Sequence, residues 1–157
     1  MDEERLSSIL KQMGRYMSGR DRCRSEIELY LDRKRLCKRS ESSAVLDSLE
    51  ASGLLDEERF ARYRLEYRLG QGYGPRYIQQ EFRRLRIDDE VMGRVLDIEE
   101  ELYIDAARSL LNRKRRSILK PGATEEPNQK LTRYLMGRGF SHTQTKRVLN
   151  GELEVLE

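Results

Sequence analysis

An apolar spacing that occurs three times constrains this chain more than any other feature. Ile27, Leu31 and Leu36 stand 4 and then 5 residues apart, as do Ile78, Phe82 and Ile87, and again Leu131, Leu135 and Phe140. A Val-Leu pair follows each trio: Val45-Leu46, Val95-Leu96 and Val148-Leu149. The repeat offsets are 78 − 27 = 51 and 131 − 78 = 53. From the last anchor to Val is 8 residues in the second and third trios (95 − 87, 148 − 140) and 9 in the first (45 − 36), where the loop is one residue longer. Three ordered matches mark an internal repeat. An i, i+4 pair lies on one helical face. The third anchor closes the turn in the manner of a hydrophobic staple, and Val-Leu lies on the inward face of the next helix. A further helix precedes each pair, at about 3–17, 56–70 and 99–116, with apolar stripes at Leu6, Ile9, Leu10 and Met13 and at Phe60, Tyr63 and Tyr67. The expected fold is all-α, with tandem three-helix repeats at 1–52, 53–98 and 99–157.

Boundary residues agree with this parse. Gly53 ends one helix, Asp56 caps the next, and Glu57 and Glu58 complement its dipole. Gly70, Gly72 and Gly74 break the chain, and Pro75 sits where a first helical residue is expected. Pro121-Gly122 through Pro127 forms the last clear loop. Hydrophobic residues are 37% of the 157 and charged residues 38%, too little apolar material for one large core. Amphipathic helices in a thin, elongated array suit that balance, since each buries one stripe.

The chemistry-bearing residues form no site for turnover. The glycine cluster lacks the Lys-Ser/Thr of a nucleotide P-loop and follows no strand, so it reads as a helix–helix turn. His142 is the single histidine, beside Ser141 at the start of the last helix, and reads as a capping or surface residue. Cys23 and Cys37 match no metal or redox spacing and read as free thiols of a reducing cytoplasm. Acidic residues alternate with Arg and Lys along solvated faces. No Gly-x-Ser-x-Gly elbow is present. The chain is expected to be a soluble, cytoplasmic binding protein, not an enzyme, with no cofactor and no metal. No apolar run approaches the roughly 18 residues that span a bilayer.

Net charge is only +3, but the cations are clustered. Arg33-Lys34-Arg35 with Lys38-Arg39, and Arg83-Arg84 with Arg86, end the middle helices of the first two units. Arg113-Lys114-Arg115-Arg116 ends a long helix, and Arg133, Arg138, Lys146 and Arg147 follow. Cations near a helix C-terminus are favoured by the dipole alone. Their recurrence along an elongated molecule would line one side with positive charge, suited to a nucleic-acid backbone or an acidic protein groove. Candidate partner- or DNA-contacting residues are therefore Arg59, Arg76, Arg83 and Arg84 around the centre, Arg113, Lys114, Arg115 and Arg116, and Arg133, Arg138, Lys146 and Arg147.

The run Gly53-Leu54-Leu55-Asp56-Glu57-Glu58-Arg59-Phe60-Ala61, with Gly74-Pro75-Arg76-Tyr77-Ile78 and Glu81-Phe82-Arg83, closely resembles the RecX family. Lys130 to Leu135, then Arg138-Gly139-Phe140 and Val148-Leu149, resemble that family's last repeat, so the likeness spans roughly residues 15–150. It implies a curved, elongated repeat body that binds the RecA recombinase filament on single-stranded DNA and restrains it, acting in recombination, DNA repair and the SOS response. A monomer is expected, with no catalytic residues. The competing expectation is a DNA-binding protein that acts by competing for DNA, against which the low net charge argues. Two turns depart from the family pattern, because Arg35 and Arg86 stand where glycine is usual while Gly139 keeps it. A left-handed non-glycine residue costs about 1–2 kcal/mol, so rebuilt turns are expected there.

Overall fold

Most helix starts among the described residues are set by acidic caps and prolines. In the computed structural model, which describes residues 1–122 and 124–156, α1 (Glu3–Tyr16) begins after Asp2, whose carboxylate accepts the Arg5 N–H at 2.7 Å. Then come α2 (Arg24–Arg33), a 3-10 turn at Arg39–Glu41, and α3 (Ser42–Ala51). α4 (Glu57–Gly70) is capped by Asp56, which accepts the Arg59 N–H at 3.0 Å. α5 (Pro75–Arg84) opens on its proline, followed by α6 (Asp89–Leu96) and α7 (Glu100–Ile118). α8 (Pro127–Gly137) and α9 (His142–Leu156) complete the chain. Pro127, expected in a loop, is instead the first residue of α8, and the Glu126 carboxylate accepts the N–H groups of Asn128 and Gln129 at 3.1 and 2.9 Å. Among the described residues there is no strand. The third unit was expected to run to Glu157, which with Ala123 lies outside the described residues.

The spacing of 4 then 5 has a specific backbone cause. At the end of α2 the Leu36 N–H donates to the Leu31 carbonyl and the Arg35 N–H to the Asp32 carbonyl, both at 3.0 Å. Ile87 and Arg86 make the same bonds to Phe82 and Arg83 after α5, and Phe140 and Gly139 make them to Leu135 and Met136 after α8. These are Schellman caps, in which one left-handed residue reverses the chain and brings the residue after it back against the helix. Each third anchor is that returning residue, which is why it follows the second by five. Arg35 (φ 52°) and Arg86 (φ 55°) take the left-handed position as Gly139 (φ 98°) does. The expectation of rebuilt turns is therefore overturned: both arginines accept the strain and the cap is kept.

Each trio of helices encloses its own core. Ile9, Met13, Ile27, Leu31, Val45, Leu46 and Leu49 fill the first, with Leu36 only half-buried beside them. Phe60, Leu65, Ile78, Phe82, Ile87 and Val95 fill the second. Leu110, Leu111, Leu131, Leu135, Phe140 and Val148 fill the third. Leu96, expected inside, ends the short α6 and lies half-buried at the rim of the second core. The accessible surface, 10262 Å², exceeds the roughly 8200 Å² of a compact monomer of this mass. The array is elongated.

The stripe expected on α4 is wrong at two positions. Tyr63 is 64% exposed and Tyr67 50% exposed. The reason lies across the core, where Glu81 of α5 is only 6% exposed. Its carboxylate accepts from the Arg64 guanidinium at 3.0 Å and from Arg68 at 2.7 and 3.0 Å. A buried carboxylate without partners is prohibitively unfavourable. Arg64 and Arg68 must therefore face inward with Phe60, Ala61 and Leu65, which turns the two tyrosines out.

Arg35 is exposed with no side-chain partner among the described residues. Arg35→Gly should raise unfolding stability by about 1 kcal/mol, the left-handed strain relieved less the added chain entropy. Phe82→Ala should lower it by about 3–5 kcal/mol. Thermal melts of both variants check these values, and an unchanged melt for Phe82→Ala would overturn the packing.

Candidate interaction surface

Surface cations are available to a partner only where the fold does not use them, so the contacts between units come first. The Gly74 N–H donates to the Arg138 carbonyl at 2.8 Å and the Arg76 N–H to the Gly139 carbonyl at 3.0 Å. The start of α5 is thus bonded directly to the turn after α8. A Cβ on Gly74 would stand 2.5 Å from the carbonyl carbon of Gly139 and the nitrogen of Phe140, and one on Gly139 would stand 2.6 Å from the Tyr77 nitrogen. Only glycine allows that approach. The cluster expected as a plain helix turn is the junction between the second and third units.

Arg138 clamps the same junction. Its guanidinium donates to the Gln71 and Gly72 carbonyls at 2.6 and 3.2 Å. It also lies 3.8 Å over the Tyr73 ring, which stacks on Tyr77 at 3.9 Å. Tyr103 of α7 is buried in the second core, where its hydroxyl donates to the Leu96 carbonyl at 2.7 Å and desolvation pushes the phenol up to about 12.

The other proposed cations divide into tied and untied groups. Arg59 is a two-pronged partner of Asp21 at 2.7 and 2.9 Å, and that bond holds its guanidinium pKa above the usual value. Arg133 grips Glu125 at 2.6 and 2.8 Å, and Arg147 pairs with Glu101. Arg113 reaches the Gly70 carbonyl at 3.4 Å, and Arg115 is half-buried and engaged. By contrast, the side chains of Arg76, Arg83, Arg84, Lys114, Arg116 and Lys146 are exposed with no partner among the described residues. Arg76 and Arg83 are seven residues apart, so they share the outer face of α5 about 10 Å apart along its axis.

The positive strip does not recur through all three units. The α8 residues 53 on from Arg83 and Arg84 are Met136 and Gly137, and the free cations of the third unit come from α7 and α9 instead. In the first unit Lys38 and Arg39 line a cleft of about 430 Å³ with Arg86 of the second. His142 is exposed, and it is Ser141 that caps α9: its hydroxyl accepts the Gln144 N–H at 3.0 Å while Gln144 accepts the Ser141 N–H at 2.9 Å. Among the described residues no group of three or more His, Cys, Asp or Glu is placed to hold a metal ion. No described helix is long and apolar enough to cross a membrane.

Comparison with known proteins adds a second line. The family models described as "RecX, second three-helix domain" and "RecX, third three-helix domain" match residues 56–96 and 100–149. The "Regulatory protein RecX" of Ralstonia pickettii is 30% identical over 97% of this chain and 92% of its own length. That of Mycolicibacterium smegmatis is 34% identical over 88% of this chain and 76% of its own length. The chain belongs to the RecX family. A crystal structure of RecX from Lactobacillus salivarius has the same fold, with a TM-score of 0.80 at 19% identity, covering 97% of this chain and 98% of that one. A second RecX crystal structure superposes with a TM-score of 0.78 at 20% identity, over 96% of this chain and 78% of that one.

RecX is a family of regulatory proteins, and the role of this member is regulatory. The matched segments 56–96 and 100–149 hold all six of these cations: Arg76, Arg83 and Arg84 on α5, Lys114 and Arg116 on α7, and Lys146 on α9. Sequence reasoning missed the partners that consume the others, Asp21, Glu101 and Glu125, since each lies far along the chain or in a loop. Arg138→Gln should lower stability by about 2 kcal/mol, because two carbonyl bonds and a ring contact are lost together. Arg76→Gln, Arg83→Gln and Arg84→Gln should each stay within about 0.5 kcal/mol of the parent. Denaturant titrations separate the two classes, and a large loss at Arg83 would show a tie that the structure lacks.

Proposed function

We propose that this chain is a regulator of homologous recombination and DNA repair that binds the RecA filament on single-stranded DNA and limits its activity. The observation that carries this reading is that six of the twelve candidate cations, Arg76, Arg83, Arg84, Lys114, Arg116 and Lys146, are exposed without partners among the described residues. Guanidinium groups tied to carboxylates inside the fold contribute little to a new partner, whereas untied ones engage carboxylates or phosphates at no internal cost. Membership of the RecX family supports the RecA filament as that partner. The units 1–52, 53–98 and 99–157 are taken as its domains. It acts as a cytoplasmic monomer without turnover of its own, so inhibition follows occupancy of the filament.

A second reading is direct binding of DNA in competition with the recombinase. The exposed rings of Tyr63 and Tyr67 favour it, because bases stack on such surfaces. The acidic Glu58 and Glu66 beside them weigh against it.

The triple substitution Arg76, Arg83 and Arg84 to Gln distinguishes the readings, with Lys114, Arg116 and Lys146 to Gln as a second set. Both are assayed on bare and RecA-coated single strands across salt concentrations. Each phosphate contact removed should lower the salt slope of binding by about 0.7. The expected result is inhibition lost on coated strands with bare-strand affinity little changed. Equal loss on both would favour competition for DNA, and full inhibition by both variants would remove these cations from the site.

A further inference from the structure

The two contacts between units are built from equivalent positions with different chemistry. Cys23 is the residue 51 before Gly74, and Arg86 the residue 53 before Gly139. Where the second and third units meet, both positions are glycine and the backbones bond directly. Where the first and second meet, both carry side chains. Apart from the cap of α3, where the Gly53 and Leu55 N–H groups donate to the Glu50 and Leu49 carbonyls, no backbone–backbone hydrogen bond joins those two units among the described residues.

Side chains take over that task. The Ser25 hydroxyl donates to the Leu85 carbonyl at 2.7 Å, and the Arg24 N–H donates to the Glu57 carboxylate at 3.0 Å. Arg59 holds Asp21, and Arg86 holds Glu28 at 2.7 Å with side chains 66% and 37% exposed. The cleft of about 430 Å³ opens beside this last pair. Exposed pairs of this kind contribute little each and are screened by salt. The apolar part of the contact is the Cys23 side chain, fully buried in the second core with Phe60, Ile78 and Phe82.

We infer that the first unit is a hinged module, held to a rigid body of the second and third units by an ionic latch, with Cys23 as the plug between them. The latch consists of the Arg59–Asp21 and Arg86–Glu28 pairs and the Ser25 hydroxyl. Loss of the two pairs lets the first unit swing about the 52–56 loop while each core stays folded. The docked thiol is shielded, and burial pushes its pKa up, so Cys23 reacts only when the plug is withdrawn. This hinge does not depend on the identity of the partner.

Cys23 is thus a native reporter. In a Cys37→Ser background, maleimide labelling of Cys23 should quicken about tenfold between about 0.05 and 1 M NaCl, as the Debye length falls to about 3 Å. The control is a thiol introduced by Ala107→Cys, in the third core, in a chain carrying Cys23→Ser and Cys37→Ser. It should stay protected at every salt concentration. Adding Asp21→Asn and Glu28→Gln to the Cys37→Ser chain should give the high-salt rate at low salt, with helical circular dichroism unchanged. Labelling of Cys23 that ignores salt overturns the latch. So does parallel labelling at position 107, which would mean that the thiols are exposed by unfolding of the whole chain. Should the charge-neutral variant fail to fold, the salt series on Cys23 and position 107 decides alone.

Discussion

A left-handed residue after each middle helix is the constraint on which the rest of the array depends. Reversal at Arg35, Arg86 and Gly139 sends Leu36, Ile87 and Phe140 back into their cores. The same reversal leaves the carbonyl of the residue before it, Leu85 or Arg138, pointing away from its own unit. That carbonyl is the acceptor for the unit before it, from the Ser25 hydroxyl in one case and the Gly74 N–H in the other. One turn therefore closes a core and presents a bond to a neighbour. A strained arginine is tolerated there because the cap and the anchor it returns are both kept.

Electrostatics decides which faces of the helices are free. The buried Glu81 draws Arg64 and Arg68 into the second unit, and hydrogen bonding to Glu81 holds the Arg68 guanidinium pKa above its usual value. Such a triad stabilises less than an apolar core of the same volume would, yet it fixes the rotation of α4 about its axis. Exposure of Tyr63 and Tyr67 follows from that rotation. Ion pairs elsewhere, such as Arg94 with Glu58 at 2.7 Å, withdraw further cations from the surface, so a near-neutral chain still presents a few isolated positive groups.

The unit cores were legible in the sequence because their information is local. An anchor at i, i+4 and a returning residue five further on need only one helix and one turn. Contacts between units were not legible, because Gly74 gains its meaning only when Gly139 is set against it, 65 residues later. The face of α4 was misread for a related reason. Apolar periodicity counts arginine as outward, and Arg64 and Arg68 point inward only because Glu81 lies on another helix. Of the basic residues proposed for binding, position on a helix could not tell Arg83, which is free, from Arg138, whose fork is filled by backbone carbonyls.

The cap on α8 has a consequence for the end of the array. By the repeat offset of 53, Pro127 corresponds to Gly74 and Gln129 to Arg76, the two residues whose N–H groups bind the following unit. Proline has no N–H to give. The Gln129 N–H is already taken by the Glu126 carboxylate at 2.9 Å. Both donors that would receive another turn are thus cancelled, one by covalent structure and one by a side chain. At this end of the array the backbone coupling used between the second and third units has no counterpart, and whatever docks here meets side chains, as at the contact between the first and second units.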